Sequence, residues 1–198
     1  MKWILIIGLI ALVIYLLTSK KKAKQPTKTI SQPYLESDRQ VHETYSNEIS
    51  EERIKQIENE ILTDKKLYLQ NCRDNYSEYV ATAQKLFPET YDKMEKIDAK
   101  GDPWTKYNSR AQQYKKDKDV SGEIAILEKA VADKVYTPAT YERLAILYGK
   151  KKDIQAAYDI CKKWFDSDYW KIPNMATGSI RLLERMEKLE GKIKNNGG

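Results

Sequence analysis

The residue types that carry most catalytic and metal-binding chemistry are few in this chain of 198 residues, and they lie far apart. His42 is the one histidine, and it has no neighbour with which to form a metal site or a hydrolase triad. Carboxylates are numerous but scattered, and the sequence lacks a glycine-rich phosphate loop, an HExxH pair and a nucleophile elbow. The sequence therefore predicts no catalytic site, no metal site and no cofactor, which disfavours an enzyme.

The two cysteines, Cys72 and Cys161, lie 89 positions apart and share neither a CxxC motif nor the spacing of a zinc site. Each falls on the apolar stripe of a predicted helix, and we therefore expect two buried free thiols. Free thiols are typical of a reducing compartment. A disulfide between them would instead indicate an oxidising location.

The first 19 residues have the composition of a membrane anchor. Residues 3–18 (WILIIGLIALVIYLLT) carry no charge, and at ~1.5 Å per residue they extend ~24 Å, close to the ~30 Å core of a bilayer. The alternative is a cleaved signal peptide, which needs small side chains before the cleavage point. The best candidate there, Leu17-Thr18-Ser19, has a bulky leucine. We therefore predict an uncleaved, single-pass anchor at residues 1–19.

Lysines flank the apolar run unequally, and this predicts the orientation of the chain. Lys2 and the amino terminus precede the run, whereas four lysines within residues 20–24 follow it. By the positive-inside rule the rest of the chain then lies in the cytoplasm. A short charged amino terminus is also compatible with the opposite orientation. The protein would then be an extracytoplasmic structural component of an envelope or secretion assembly.

Composition indicates a helical protein and argues against nucleic acid as a partner. Charged residues make up 32% of the chain, while glycine (8) and proline (6) are scarce, as in other helical proteins. The net charge is +6, and residues 1–34 contain six lysines and no carboxylate, which equals that excess. The remaining chain is close to neutral and lacks the dense Lys/Arg clusters of nucleic-acid-binding proteins.

A linker and a helical region follow the anchor. Residues 20–36 contain two prolines and no apolar period, which predicts a basic, polar linker. Residues 37–101 are predicted to form a helical stalk and capping helices. The first of these helices starts at a Ser37 cap and has a narrow apolar stripe, composed of Val41, Tyr45, Ile49, Ile54, Ile57 and Ile61.

Two further helices are predicted before residue 101. Asp64 is expected to cap a helix that continues to Leu86. Pro88 suits the first position of a short helix that runs to about Lys100. Gly101 is the type of residue that ends a helix in a left-handed conformation, so it marks a boundary.

From residue 102 the chain repeats itself with a period of 34 residues. A capping residue precedes a proline near the start of each copy, at Asp102-Pro103 and, 35 residues later, at Thr137-Pro138. The agreement in spacing predicts two copies of one helical hairpin. The paired residues are Tyr107/Tyr141, Ala111/Ala145, Tyr114/Tyr148, Lys116/Lys150, Lys118/Lys152 and Asp119/Asp153.

A unit of 34 residues made of two helices resembles the tetratricopeptide repeat. We number the repeat so that Tyr107 and Tyr141 are at position 4. That family then has aromatic residues at positions 4 and 11, Leu at 7, small residues at 8, 20 and 27, and an aromatic residue or Leu at 24. Arg110 and Glu123 depart from the pattern, and Trp164 is bulky for position 27, from which we expect looser helix packing. At the seven positions, copy two has Tyr141, Leu144, Ala145, Tyr148, Ala157, Cys161 and Trp164, and copy one has Tyr107, Arg110, Ala111, Tyr114, Glu123, Leu127 and Ala130.

The resemblance covers residues 102–171 and implies a module that binds a protein or peptide on the first helix of each repeat. That surface is polar and on balance basic here, which favours an acidic peptide. Relatives that clamp a peptide carboxylate have Lys and Asn where this chain has Asn108 and Gln112, so that specificity is not expected. A solvated face without a ligand is the alternative. The candidate binding residues are Asn108, Gln112, Lys115, Lys116, Glu142, Arg143, Ile146 and Lys150.

Capping helices are expected at both ends of the two repeats. A helix at residues 172–194 suits the carboxyl-terminal end, helices at 63–87 and 88–100 suit the other end, and residues 195–198 are predicted to be a disordered tail. The chain is thus expected to be all-α, with one transmembrane helix and a helical domain of two tetratricopeptide-like hairpins. It is predicted to be a membrane-tethered scaffold or adaptor on the cytoplasmic face, with dimerisation left open.

Overall fold

The computed structural model describes residues 49–101 and 103–196, which fall within one of the chain's two units, residues 31–198. The described residues form α-helices and two short 3-10 turns, with no strand among them, so the predicted all-α class is confirmed for this part of the chain. None of the described helices is both long and apolar enough to cross a bilayer. The predicted anchor (1–19), the predicted linker (20–36) and His42 lie outside the described residues.

Nine helices follow one another through the described residues, and the 3-10 turns Tyr169–Lys171 and Pro173–Met175 lie before the last of them. The helices are α1 (Glu51–Thr63), α2 (Lys65–Asp74), α3 (Tyr76–Leu86), α4 (Pro88–Ala99), α5 (Pro103–Lys116), α6 (Val120–Ala132), α7 (Pro138–Lys150), α8 (Ile154–Phe165) and α9 (Ala176–Asn196).

The first predicted helix, over residues 37–61, does not pass through residues 49 and 50, and residues 37–48 lie outside the described residues. Ile49 and Ser50 are not helical, and α1 begins directly after them with Ser50 as its N-cap. The Ser50 hydroxyl oxygen accepts a hydrogen bond from the Arg53 amide at 3.2 Å. The prediction of one continuous helix is therefore wrong. The next apolar residue after Ile49 is Ile54, five positions later, and this spacing places the two residues on different faces of a helix. Serine is also a favourable residue at the start of a helix.

The second predicted helix is also broken, at Asn75. Asp64 caps α2 as predicted, because its carboxylate accepts a hydrogen bond from the Leu67 amide at 3.0 Å. Asn75 has φ −124° and ψ 45°, so α2 ends before it and α3 begins after it. The predicted boundaries at Pro88 and Gly101 are confirmed, since α4 starts at Pro88 and Gly101 has a φ of 87° that glycine adopts without steric cost.

The turns that join α5 to α6 and α7 to α8 have the same backbone conformation. Lys118 (φ 59°) and Lys152 (φ 63°) both adopt the left-handed conformation. The residue after each lysine, Asp119 or Asp153, caps the next helix by accepting a hydrogen bond from the amide three residues later, at 2.8 Å and 3.0 Å respectively. Equivalent residues in the two turns are 34 positions apart, so the period of the sequence is also present in the backbone geometry.

Helix α2 packs against α9 and against the 3-10 turns that precede it. Its buried Tyr68 hydroxyl donates a hydrogen bond to the Lys171 carbonyl oxygen at 2.5 Å, and the Tyr68 ring meets Trp170 edge-on with centroids 6.0 Å apart. The prediction that residues 63–87 cap the amino-terminal end of the repeats is therefore wrong. They cover the carboxyl-terminal end, because the aromatic ring of Tyr68 packs there against Trp170.

The last helix differs from its predicted bounds, 172–194. The 3-10 turns occupy the start of that range, and α9 continues through Asn196, so residues 195 and 196 are helical and not part of a disordered tail. Trp164 on α8 is fully buried, and its indole N–H donates a hydrogen bond to the Ser179 hydroxyl of α9 at 2.9 Å. The looser packing expected from this bulky residue is not observed, because α9 encloses the ring.

Cys72 and Cys161 are both free and completely buried, as the sequence predicts. Burial disfavours the charged thiolate, and it raises the pKa of each thiol from 9.0 to about 12. In the unfolded chain the thiols lose their protons above about pH 9, whereas the folded protein retains them. The thiols therefore stabilise the folded protein below pH 9, and this contribution is lost as the pH rises towards 12.

We expect the free energy of unfolding to fall by about 1 kcal/mol per thiol between pH 8 and pH 10. Urea denaturation followed by circular dichroism at the two pH values measures this change. A variant carrying Cys72→Ala and Cys161→Ala is less stable at pH 8 because of the lost side-chain volume, but its stability should depend less on pH. An equal pH dependence in the variant and the wild type would contradict the assignment.

Candidate functional site

The predicted binding residues lie along one side of two helices that occupy equivalent places in the two hairpins. Asn108 is 34 residues before Glu142, Gln112 before Ile146 and Lys116 before Lys150, so matching positions on α5 and α7 carry the candidate side chains. The structure describes all eight. Those on α5 are Asn108, Gln112, Lys115 and Lys116, and those on α7 are Glu142, Arg143, Ile146 and Lys150.

Arg143 forms an ion pair with Glu123 of α6. The guanidinium donates two hydrogen bonds to the carboxylate, from Nε at 2.6 Å and from Nη2 at 2.7 Å. The Glu123 side chain is buried, and the hydrogen bonding raises the pKa of Arg143 above its ordinary value. Two parallel bonds fix the orientation of both groups, so Arg143 joins the two hairpins.

Glu123 is a residue that the sequence argument treated only as a departure from the repeat pattern. Small residues are usual at its position because two helix backbones approach there. In this protein the carboxylate is accommodated at 3% exposure because Arg143 of the next hairpin supplies its partner. The mismatch with the family pattern was the available signal, but the pairing required knowledge of which helix lies beside α6.

Glu142 is also paired, with Arg181 of α9 at 2.9 Å. The side chains of Asn108, Gln112 and the lysines at 115, 116 and 150 have no hydrogen-bond or ion-pair partner among the described residues. With Glu142 and Arg143 occupied, the remaining six residues form a polar, basic surface. This α5–α7 surface consists of Asn108, Gln112, Lys115, Lys116, Ile146 and Lys150.

A groove lies on the other side of α7, and the sequence argument did not predict it. Its volume is about 780 Å³, and Tyr141 and Tyr148 of α7 line it between α6 and α8. The two tyrosines are seven residues apart and therefore share a helix face, away from Ile146. We call it the α6–α8 groove. Its lining residues are Thr90, Lys93, Glu128, Val131, Ala132, Lys134, Tyr141, Tyr148, Ile160, Lys163, Asp166, Ser167, Asp168 and Tyr169.

The described residues hold no cluster of three or more His, Cys, Asp or Glu side chains placed to bind a metal ion. Most of the perturbed groups in the described residues are tyrosines, thiols and arginines whose pKa values are raised by burial or by carboxylate partners. Tyr148, for example, donates to Glu128, which raises the pKa of Tyr148 to about 12. Burial and these hydrogen bonds favour the neutral form of each tyrosine, and the raised pKa is the result.

Comparison of the chain with protein-family models, with curated proteins and with solved structures found no match. The family resemblance therefore depends on the residues and hairpins described above.

Proposed function

We propose that the chain is a membrane-tethered, non-enzymatic scaffold of the tetratricopeptide-repeat type, which binds a partner protein through the α5–α7 surface. The observation that carries this proposal is the alignment of unpaired polar groups on α5 and α7. Lys115, Lys116 and Lys150 project from matching helices with no partner among the described residues. A surface of this charge suits an acidic segment of the partner.

The repeated hairpins support the family part of the proposal. The caps at Asp119 and Asp153 and the left-handed lysines before them recur at the period of that family. The ion pair between Glu123 and Arg143 fixes one hairpin against the other. A fixed angle between hairpins preorganises the α5–α7 surface, which lowers the entropy lost on binding.

The membrane part of the proposal depends on the sequence of residues 3–18 and the lysines after it. A cytoplasmic location of the domain agrees with two thiols that are free and buried. Labelling an engineered cysteine near Gly198 with an impermeant reagent tests the orientation, in a Cys72→Ser and Cys161→Ser background. Labelling only after lysis supports the cytoplasm, whereas labelling of intact cells would favour an envelope or secretion assembly.

Charge reversal at Lys115, Lys116 and Lys150, each to Glu, is expected to abolish partner binding while leaving the fold intact, because all three side chains are exposed. A photo-crosslinking amino acid at Gln112 reports binding in cells, and mass spectrometry identifies the adduct. The yield of the adduct should fall to background in the triple variant.

A matched control carries the same charge change elsewhere. Lys55, Lys188 and Lys192 are exposed on α1 and α9, and their reversal to Glu should leave the adduct unchanged. If the adduct survives reversal of the α5–α7 lysines, the surface is not the binding site. If both triple variants lose it, net charge and not this surface controls the interaction.

A further inference from the structure

We propose that the α6–α8 groove is a second protein-binding site, which takes a short partner segment that combines carboxylates with apolar side chains. This inference goes beyond the function proposed above, because the groove and the α5–α7 surface share no residue and lie on different sides of α7. Its support is the charge of the groove, one unpaired hydroxyl group and the apolar part of the lining.

The carboxylates of the groove already have partners. Glu128 accepts a hydrogen bond from Tyr148, Asp166 pairs with Lys162 at 3.2 Å, and Asp168 pairs with Lys171 at 2.8 Å. Lysines 162 and 171 do not line the groove. Asp166 and Asp168 are thus balanced by lysines around the groove, whereas Glu128 has a neutral hydrogen-bond donor and no cationic partner among the described residues.

The lysines of the groove are not balanced in this way. Lys93, Lys134 and Lys163 are exposed, and none has a hydrogen-bond or ion-pair partner among the described residues. They come from α4, from the turn after α6 and from α8, so they surround the groove on several sides. The groove thus has three unpaired lysines against one carboxylate without a cationic partner, Glu128, and this excess of positive charge is complementary to a ligand with carboxylates.

Tyr141 supplies a hydrogen-bond donor at the floor. Its side chain is only 3% exposed, its ring packs on Trp164 with centroids 5.1 Å apart, and its hydroxyl has no hydrogen-bond partner among the described residues. Burial raises the pKa of Tyr141 to about 12, so the hydroxyl keeps its proton at neutral pH. The Tyr141 hydroxyl is accessible at the groove surface, and it can donate a hydrogen bond to a carboxylate or carbonyl oxygen of a ligand that enters the groove.

The rest of the lining is apolar in part. Val131, Ile160 and Tyr169 offer hydrocarbon and aromatic surface between the lysines. A volume of about 780 Å³ lies in the range of sites that enclose a drug-sized ligand, and it admits a few residues of peptide. A segment with apolar residues between acidic ones fits this lining better than a uniformly acidic one.

The test uses the full chain in lipid nanodiscs and two pools of displayed peptides. One pool combines Asp and Glu with Leu, Phe and Tyr, and the other has Asn and Gln in place of the acids. The acidic pool should yield saturable binders, and the neutral pool should not. Enrichment of neutral peptides to the same extent, or no enrichment from the acidic pool, would overturn the proposal.

Fluorescence anisotropy of an enriched peptide then locates the site. Lys93→Glu with Lys163→Glu should weaken binding about tenfold, and Tyr141→Phe about three- to tenfold, because one hydrogen bond is lost. Lys134 is left unchanged because its φ of 56° makes substitution there a backbone change as well. The melting temperatures of both variants should match that of the wild type.

A control at the other surface separates the two proposals. Lys115→Glu with Lys116→Glu carries the same charge change and should not affect the selected peptide. If this control loses binding and the groove variants do not, the peptide occupies the α5–α7 surface, which overturns the second site and leaves the proposed function standing. Binding that persists in Tyr141→Phe and in the groove lysine variant alike also overturns it.

Discussion

Replacement of Trp164 with alanine is expected to lower the free energy of unfolding by about 3–5 kcal/mol. Trp164 is among the largest side chains that are completely buried in the described residues, and its ring packs on Tyr141. Truncation leaves a cavity between α7, α8 and α9. It also removes the donor that satisfies the buried Ser179 hydroxyl, which adds to the loss.

Chemical denaturation followed by circular dichroism measures this loss. Trp164→Phe retains an aromatic ring, so its free energy of unfolding should fall by less. Trp104→Ala removes the same side chain from a half-buried position on α5, and its free energy of unfolding should also fall by less. A loss at Trp164→Ala no larger than that at Trp104→Ala would contradict the packing of α9 on the second hairpin.

Replacement of Arg143 with alanine is expected to lower the free energy of unfolding by about 3 kcal/mol. The variant leaves the Glu123 carboxylate buried without its cation. The Glu123 side chain is 4% exposed and the Arg143 side chain 28%, so the expected loss lies at the low end of the range for buried pairs. The measurement is a double-mutant cycle with Glu123→Ala, in which the doubly substituted protein should recover most of the loss.

The pair between Arg181 of α9 and Glu142 is a matched control, because Glu142 lies beside Arg143 on α7. The Arg181 side chain is 50% exposed, and Arg181→Ala should cost at most about 1 kcal/mol, as is usual for surface pairs. If Arg143→Ala costs no more than Arg181→Ala, the pair with Glu123 does not join the hairpins in the way described.

Local signals in the sequence predicted the helix boundaries well in the carboxyl-terminal half. Pro138 begins α7 with Thr137 as its N-cap residue, although the Thr137 side chain makes no capping hydrogen bond, and Gly101 follows the end of α4 in the expected conformation. Each of these depends on a few neighbouring residues. The break at Asn75 was missed because the apolar stripe continues from Cys72 to Tyr76 with helical spacing, whereas the start of α1 after Ser50 was missed although the step of five residues from Ile49 to Ile54 marked it.

The sequence did not predict the contacts between residues that are far apart in the chain. Arg143 and Glu142 were correctly placed on α7, but their partners are 20 and 39 residues away in the chain. The α6–α8 groove is lined by residues of α4, α6, α7, α8 and the segment after α8, none of which indicates a groove by itself. Periodicity predicts the face of a helix, but it does not identify the element that covers that face.

The packing of α2 on α9 determines when the domain can be completed during synthesis. Tyr68 and Lys171 are joined by a hydrogen bond across 103 positions. In an open repeat array each unit contacts only its neighbours along the chain. Here, the apolar face of α2 emerges from the ribosome early and is covered only when α9 has followed, so the last step of folding awaits the end of the chain. A chain that stops before residue 170 lacks Trp170 and Lys171, the contacts of Tyr68, and we expect such a chain to be held by chaperones or degraded.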